Sequence, residues 1–256
     1  MLCVQQLSVT GRRDDLLPPT SLEAARGDLL LVEGVRQDQR TALALALSGR
    51  MKPSAGTVSW DGNARIKAIR QASSVVDSPG VNEPEQHLSV RDLVTEDLAL
   101  VPRRHRGAAR STPWLRLNNF EDIAGLWTEQ LPAGRRTGLL TALALANPDT
   151  ELLVVDSPDR HSGDAADWLP RLQELARDAG RPLAVVATVT RIPDGWNGAT
   201  ATIGNAVTPA APAPTEPAPA GPDAHAPDAH RAPAHMADSP QTFLPESLSP
   251  ETEDAK

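Results

Sequence analysis

The sequence predicts an α/β protein with layered architecture, followed by a C-terminal segment that does not join the core. Across residues 1–207, short apolar runs typical of strands alternate with segments of helical periodicity, a pattern characteristic of α/β folds. From residue 208 onward the composition changes to proline, alanine and acidic residues. We therefore expect one α/β domain over 1–207 and a disordered tail over 208–256.

The elements follow from local patterns along the chain. Apolar runs predict seven strands, at residues 2–9, 28–32, 57–60, 74–76, 152–156, 183–188 and 200–203. Helical patterns predict four helices, at residues 41–48, 90–99, 134–146 and 165–179. Ser89 is expected to cap the second helix, because a serine oxygen accepts a hydrogen bond from the first helical turn. Asp61-Gly62 predicts a turn, and residues 101–120 are predicted to be irregular and basic.

The tail accounts for most of the net charge. Residues 208–256 hold eleven of the 24 prolines, with eight acidic residues against Arg231 and Lys256, so they contribute −6 of the total −8. Such a segment buries too little apolar surface to offset the entropy of ordering. The remaining residues are nearly neutral, which gives no electrostatic case for nucleic-acid binding.

The sequence shows no targeting signal and has a single cysteine, and both observations predict a cytoplasmic protein. The sequence has no run of eighteen apolar residues and no signal-peptide pattern at its N-terminus. The single cysteine, Cys3, cannot form an internal disulfide and fits a reducing compartment.

A partial phosphate-binding motif follows the second predicted strand. The P-loop pattern is G-x-x-x-x-G-K-S/T, placed between a buried strand and a helix. Gly34 takes the first glycine position, and Arg40-Thr41 stand at the Lys-Ser/Thr positions. Gln39 replaces the second glycine. Gln37 and Gln39 are both expected to place side chains in the turn, where they hinder the approach of backbone N–H groups to phosphate.

Five further segments are informative through their order and spacing along the chain. They are residues 49–62 with Gly49, Pro53, Gly56, Val58, Asp61 and Gly62, residues 88–93 (LSVRDL), 131–135 (LPAGR), 139–148 (LLTALALANP) and 152–158 (LLVVDSP). Together with the partial P-loop, over about 1–205, they resemble the ATP-binding cassette (ABC) ATPase domain of ABC transporters, as a degenerate member. The resemblance implies a RecA-like α/β core, an antiparallel β subdomain and a small helical subdomain at about 78–135.

The resemblance also implies a set of site residues. Nucleotide would be held by Gly34, Arg40 and Thr41, and Mg²⁺ by Thr41, Asp156 and Asp77, the last at the Q-loop position. We expect no catalytic residues, because Ser157 stands where the family has its glutamate and Val189 where it has its switch histidine. ATP and Mg²⁺ binding is therefore expected to be weak or absent.

Each retained residue has a structural alternative. Thr41 could serve only as a helix N-cap, Arg40 could pair with Glu33, and Asp156 could be retained for hydrogen bonding within the loop.

Residues 131–135 stand at the position of the family's signature segment. There Pro132 removes the hydroxyl and an N–H group that the family uses to contact ATP across a dimer.

Three functions remain open from the sequence. The first is a pseudo-ATPase subunit or regulator of an integral membrane protein, held at the inner membrane face through that partner. The second is an ATP-binding, slowly hydrolysing transporter subunit, in a homodimer or paired with a competent cassette. The third is a protein acting on nucleic acid through the arginine-rich residues 103–116.

The partner surface is expected within residues 78–130. There the arginine-rich segment accompanies an apolar group, Trp114, Leu115, Leu117 and Phe120. Aromatic anchors with a charged rim are typical of interfaces. The alternative is that the apolar group packs inside the small helical subdomain.

Overall fold

The computed structural model describes residues 1–106 and 110–206. The strands in chain order are β1 (Leu2–Thr10), β2 (Asp15–Ala24), β3 (Leu29–Glu33), β4 (Ala55–Trp60), β5 (Ser73–Val76), β6 (Leu152–Asp156), β7 (Ala184–Val189) and β8 (Ala199–Thr202). The helices are α1 (Gln37–Leu47), α2 (Ile66–Ala72), α3 (Val90–Leu100), α4 (Ser111–Leu117), α5 (Ala133–Ala144) and α6 (Leu169–Arg177). The predicted tail, 208–256, lies outside the described residues.

A five-stranded parallel sheet forms the centre, in the order β5-β6-β7-β3-β8. Its inner strands β3, β6 and β7 are nearly continuous apolar runs, as expected when both faces of a parallel sheet are covered. Alternate residues of β3 pack on opposite faces. Leu31 belongs to a core with α5 and α6, whereas Leu30 and Val32 belong to a core with α1 and the second sheet.

The second sheet is antiparallel, in the order β2-β1-β4. Strand β2 was missed in the sequence, where Pro18 and Pro19 argue against a strand. Because β2 lies at the edge of the sheet, the N–H groups that these prolines lack are not needed for pairing. This sheet, the parallel core and the helices α3 and α4 confirm the predicted fold class.

Several predicted helix limits are wrong. Helix α1 begins at Gln37, four residues before the predicted start at Thr41. Residues 101–120 are not wholly irregular, since α4 forms there with Pro113 in its first turn, where proline is tolerated. Helix α2 was not predicted, and the predicted helix 165–179 is a 3₁₀ turn followed by α6.

Other local predictions hold. Ser89 precedes α3 and its hydroxyl accepts a hydrogen bond from the Asp92 N–H at 3.2 Å. Asp61 and Gly62 both have positive φ in the turn after β4. Among the helices of the described residues, none combines the length and apolar character needed to cross a membrane.

Gly56 lies where strand β4 packs closely on strand β1, and a substitution there tests this packing. It has φ +76°, and a Cβ there would lie 2.2 Å from the carbonyl oxygen of Gln6, beside the bulge of β1. Gly62 has φ +75° but open space around it. We expect Gly56→Ala to lower the free energy of unfolding by about 2–5 kcal/mol, from left-handed strain plus overpacking.

The matched control is Gly62→Ala, which adds the left-handed strain alone, about 1–2 kcal/mol. Denaturant unfolding of both variants gives the comparison. Equal losses in the two variants would contradict the close packing of β4 on β1.

Candidate functional site

The candidate site lies where β3, β6 and β7 end and α1 begins. Residues 34–36 connect β3 to α1, so the turn that carries Gly34 has only three residues. The carboxyl ends of parallel strands are the usual place for a ligand site in an open α/β sheet. The structure brings Gly34, Arg40, Thr41 and Asp156 together here.

Asp156 is the centre of the site and is 0% exposed. Its Oδ2 accepts a hydrogen bond from the Thr41 hydroxyl at 2.7 Å. Its Oδ1 accepts from the Ser157 hydroxyl at 2.8 Å, the Gln37 side-chain amide at 3.2 Å and the Thr188 hydroxyl at 3.2 Å. Four neutral donors thus satisfy a buried carboxylate, a group that is costly to bury without partners.

Gln37 connects this carboxylate to the rest of the turn. Its Nε2 lies 2.9 Å from the Ser157 hydroxyl and 3.1 Å from the Thr41 hydroxyl, besides its contact with Asp156. Its Oε1 accepts from Arg40 at 2.7 Å. Positions 37, 40 and 41 meet because residues three and four apart share one face of a helix.

Arg40 folds back onto the turn and is 5% exposed. Its Nη1 donates to the carbonyl oxygens of Gly34 at 2.6 Å and Val35 at 3.0 Å, and its Nε donates to the Ser157 hydroxyl at 2.8 Å. The expected alternative, pairing with Glu33, is wrong. The Glu33 carboxylate instead accepts the N–H of Ile192 at 3.1 Å.

The N-cap alternative for Thr41 is also wrong. Thr41 is the fifth residue of α1, and Arg36 occupies the N-cap position without a side-chain cap. Because the helix begins at Gln37, residues 37–39 form its first turn instead of a loop. The third alternative, that Asp156 is retained for hydrogen bonding, agrees with its four bonds.

The described arrangement does not fit a bound phosphate. A P-loop presents backbone N–H groups to the phosphates, whereas here the carbonyls of Gly34 and Val35 point to the Arg40 guanidinium. The hydroxyl and carboxylate that would bind Mg²⁺ are bonded to each other and to Gln37. Nucleotide could enter only by displacing Gln37 and Arg40.

Ser157 and Val189 occupy the two positions where the resemblance places a glutamate and a switch histidine. Ser157 has a left-handed backbone, φ +55°, and its N–H donates to the Thr188 carbonyl at 3.0 Å. Val189 is fully buried, and its carbonyl accepts the N–H of Gly34 at 2.9 Å. Neither side chain is a general base, because one is a hydroxyl donating to a carboxylate and the other is aliphatic.

Asp77, the third proposed Mg²⁺ ligand, is engaged elsewhere. Its carboxylate accepts two hydrogen bonds from Arg136, at 2.7 and 3.0 Å, and lies 2.9 Å from His161 Nε2. Burial would raise the pKa of Asp77, but hydrogen bonds from His161 and Arg136 outweigh it and hold that pKa well below its usual range. Sequence reasoning placed the Gln37 side chain in the phosphate-binding turn but did not give its partners, and it missed Arg136 and His161 as partners of Asp77.

The segment at the signature position also makes internal contacts. Pro132 is the N-cap of α5, and a Cβ on Gly134 would lie 2.8 Å from the Asp167 carbonyl. Arg135 forms an ion pair with Asp122 and lies over the Phe120 ring, 5.0 Å from its centroid.

Comparisons with known proteins agree on the fold. No family model matches the chain. The cytochrome c biogenesis ATP-binding export protein CcmA of Brucella abortus is 28% identical over 194 residues, 73% of this chain and 83% of CcmA. The same protein of Brucella suis matches equally well.

Solved ABC cassettes superpose on the chain. The bacterial ABC transporter cassette MJ0796, solved as a dimer, has a TM-score of 0.55 and 18% identity over 75% of this chain and 88% of its own. CbiO1 of Clostridium perfringens, part of the ABC transporter complex cbiONQ, has a TM-score of 0.54 and 18% identity over 75% and 78%. The chain therefore has the fold of an ABC cassette.

A groove in this domain runs between the edge strand β5 and helix α3. Its volume is about 370 Å³, and its lining includes Leu93, Leu140 and Leu143 from the core and Arg50 and Arg70 from the rim. Val81 and Leu100 also line it and are strongly exposed, Leu100 at 80%. We call this feature the β5–α3 groove.

The apolar group expected to form an interface mostly packs inside the cassette. Leu115 and Phe120 are buried in the core, and Trp114 stacks on Phe120 with ring centroids 6.2 Å apart. Only Leu117 of this group is strongly exposed, at 82%.

Part of the neighbouring basic segment is neutralised within the cassette. Arg104 and His105 contact Asp149, and Arg116 pairs with Glu121 at 3.0 Å.

Asp97 in the β5–α3 groove gives a prediction about stability. Burial, with a smaller effect of the nearby Glu96 charge, raises the pKa of Asp97 to about 6. An acid whose pKa is raised on folding destabilises the fold once pH passes its unfolded pKa, about 3.9, and the penalty is complete above about 6. We expect Asp97→Asn to raise the free energy of unfolding at pH 7.5 by about 1–2 kcal/mol, allowing for solvent screening.

Urea unfolding at pH 7.5 and pH 3.5 measures this effect. The gain should vanish at pH 3.5, because Asp97 is then protonated in both states. Glu96→Gln, a neighbouring substitution on the same helix, should give a much smaller gain. A gain of equal size at both pH values would contradict a raised pKa for the partly buried carboxyl group of Asp97.

Proposed function

We propose that this ABC cassette is a pseudo-ATPase subunit or regulator that acts through protein contacts and does not turn over ATP. One observation carries the proposal: the groups expected to bind Mg-ATP are bonded to one another through Gln37 and Arg40. These two side chains make seven hydrogen bonds within the site. Opening the turn to a phosphate therefore costs the bonds that hold it closed.

The chemistry of the remaining positions supports the same proposal. ATP hydrolysis needs a group that orients the attacking water and positive or N–H donors around the γ-phosphate. Ser157 and Val189 supply neither, and Pro132 in the signature segment has no N–H to donate.

The alternative is an ATP-binding subunit that hydrolyses slowly, in a homodimer or beside a competent cassette. The 2.7 Å contact between the Thr41 hydroxyl and Asp156 Oδ2 favours it, because these two oxygens are suitable Mg²⁺ ligands once Gln37 moves away. The similarity to CcmA, described as an ATP-binding export protein, adds support. This alternative predicts turnover that depends on Asp156.

The proposed partner is an integral membrane protein, with the cassette in the cytoplasm at the inner membrane face. The β5–α3 groove is the surface best suited to it. It combines exposed apolar side chains, Leu100 and Val81, with the basic Arg50 and Arg70 at the rim. Apolar cores with polar rims are the usual composition of specific interfaces. Residues 1–207 are nearly neutral, which gives no reason to prefer nucleic acid as the partner.

The first test is turnover by the purified full chain. We expect a rate below roughly 0.1 s⁻¹ with Mg-ATP, against about 1–10³ s⁻¹ for typical enzymes. Asp156→Ala is the control that separates a contaminant from the cassette itself. A faster rate that Asp156→Ala abolishes would overturn the pseudo-ATPase proposal in favour of the alternative.

The second test addresses the partner surface. In the native cell the chain should fractionate with membranes, and Leu100→Glu should move it to the soluble fraction. Leu117→Glu is the matched control, because Leu117 is equally exposed but lies outside the groove. Release by both variants, or recovery of the unaltered chain wholly in the soluble fraction, would contradict the proposed surface.

A further inference from the structure

A second polar cluster lies at the end of β5, formed by Asp77, Arg136, Arg160, His161 and Glu83. Asp77 and Arg136 at its centre are buried, Arg160 is partly buried, and Glu83 and His161 are exposed. Asp77 and Arg136 have side chains that are each 8% exposed and form a two-pronged ion pair. Arg160 lies 3.3 Å from the same carboxylate and 3.2 Å from Glu83. We call these five residues the Asp77 cluster.

The cluster joins three parts of the cassette. Asp77 follows β5, Arg136 lies in the first turn of α5, and Arg160 and His161 follow β6. The backbone of Asp77 is held as well, since Arg160 donates to its carbonyl at 2.9 Å. Asp77 has φ +60°, a left-handed conformation that a non-glycine residue keeps only when its surroundings hold it there.

Arg136 extends the connection toward α3. Its Nη1 donates to the Thr128 carbonyl at 3.4 Å. The Thr128 N–H in turn donates to the Leu88 carbonyl at 3.0 Å, just before α3 begins. One guanidinium therefore connects the parallel sheet to the segments that lead into both α3 and α5.

The carboxylates and histidine of the cluster could suggest a metal site. The ligand atoms of Asp77, Glu83 and His161 lie within 4.8 Å of one another. Two guanidinium groups already bond to these carboxylates, however, so a further cation would meet strong repulsion. The cluster is therefore an ion-pair network.

We propose that the Asp77 cluster is a built-in latch that holds α3 and α5 on the parallel sheet in one fixed arrangement, without any ligand. A buried ion pair leaves an uncompensated charge when either partner moves away, so sliding or rotation of α5 is opposed strongly. An apolar contact alone would tolerate such sliding better, because it is not directional. The proposal does not depend on the absence of ATP turnover.

Hydrogen exchange on the full chain tests the latch. Asp77→Asn keeps the size of the side chain and removes its charge. We expect amides of residues 85–100 and 133–144 to exchange at least about tenfold faster in this variant, while those of β6 and β7 change by less than about twofold. The matched control is Asp149→Asn, which removes an ion pair with Arg104 that is more exposed, and it should leave both sets unchanged.

Two results would overturn the latch. One is unchanged exchange in residues 133–144 of Asp77→Asn, and the other is equal acceleration throughout the sheet, which indicates general destabilisation. If Asp77→Asn does not fold, the double variant Asp77→Leu/Arg136→Met decides the question, because it leaves no unpaired charge at these two positions. The latch predicts fast exchange in α3 and α5 there too, and wild-type exchange would refute it.

Mg-ATP provides a final check on the unaltered chain. A latch that works without a ligand predicts the same exchange in residues 133–144 with and without millimolar Mg-ATP. Protection of these residues by Mg-ATP would refute it. Turnover measured in parallel distinguishes this outcome from failure of the pseudo-ATPase proposal, since a cassette with a latch could still hydrolyse ATP.

Discussion

The fully buried carboxylate of Asp156 constrains how the surrounding helix and strands are arranged. At the end of the inner strand β6, this carboxylate needs hydrogen-bond donors, and Thr41, Gln37, Ser157 and Thr188 supply them. These residues belong to α1, to the segment after β6 and to β7, so one carboxylate fixes how three elements meet. Because Arg40 bonds the same serine and the carbonyls of the turn, the closed turn and the satisfied carboxylate depend on each other.

The central sheet could be predicted from the sequence because buried parallel strands are continuous apolar runs, as in β6, whose limits were predicted correctly. Strand β2 was hidden by Pro18 and Pro19, whose tolerance depends on an edge position that sequence alone does not reveal. The order of the motifs along the chain correctly predicted that Thr41 and Asp156 lie close together. The sequence placed the Gln37 side chain in this turn but did not give its hydrogen-bond partners. Those partners depend on where α1 begins, and helix starts are weakly encoded without a capping residue.

Two polar clusters with buried centres hold neighbouring elements together through fixed internal contacts. At the first, neutral donors and Arg40 fill the turn; at the second, Asp77 and Arg136 join the sheet to the helices. Both keep charge out of water only while their partners stay in place, which favours one arrangement over several. This fits the proposed role, in which the domain presents a constant surface to a partner. The β5–α3 groove lies beside the second cluster, since Asp77 lines it.

Calorimetry with Mg-ATP measures whether Gln37 and Arg40 close the nucleotide site. The unaltered chain is compared with the triple variant Gln37→Ser/Gln39→Gly/Arg40→Lys. This variant restores the second glycine and the lysine of the P-loop pattern, shortens the side chain at position 37, and keeps Thr41 and Asp156. We expect the unaltered chain to bind more weakly than about 1 mM and the variant at least about tenfold more tightly, a gain of about 1.4 kcal/mol. Micromolar binding by the unaltered chain, unimproved in the variant, would contradict the account.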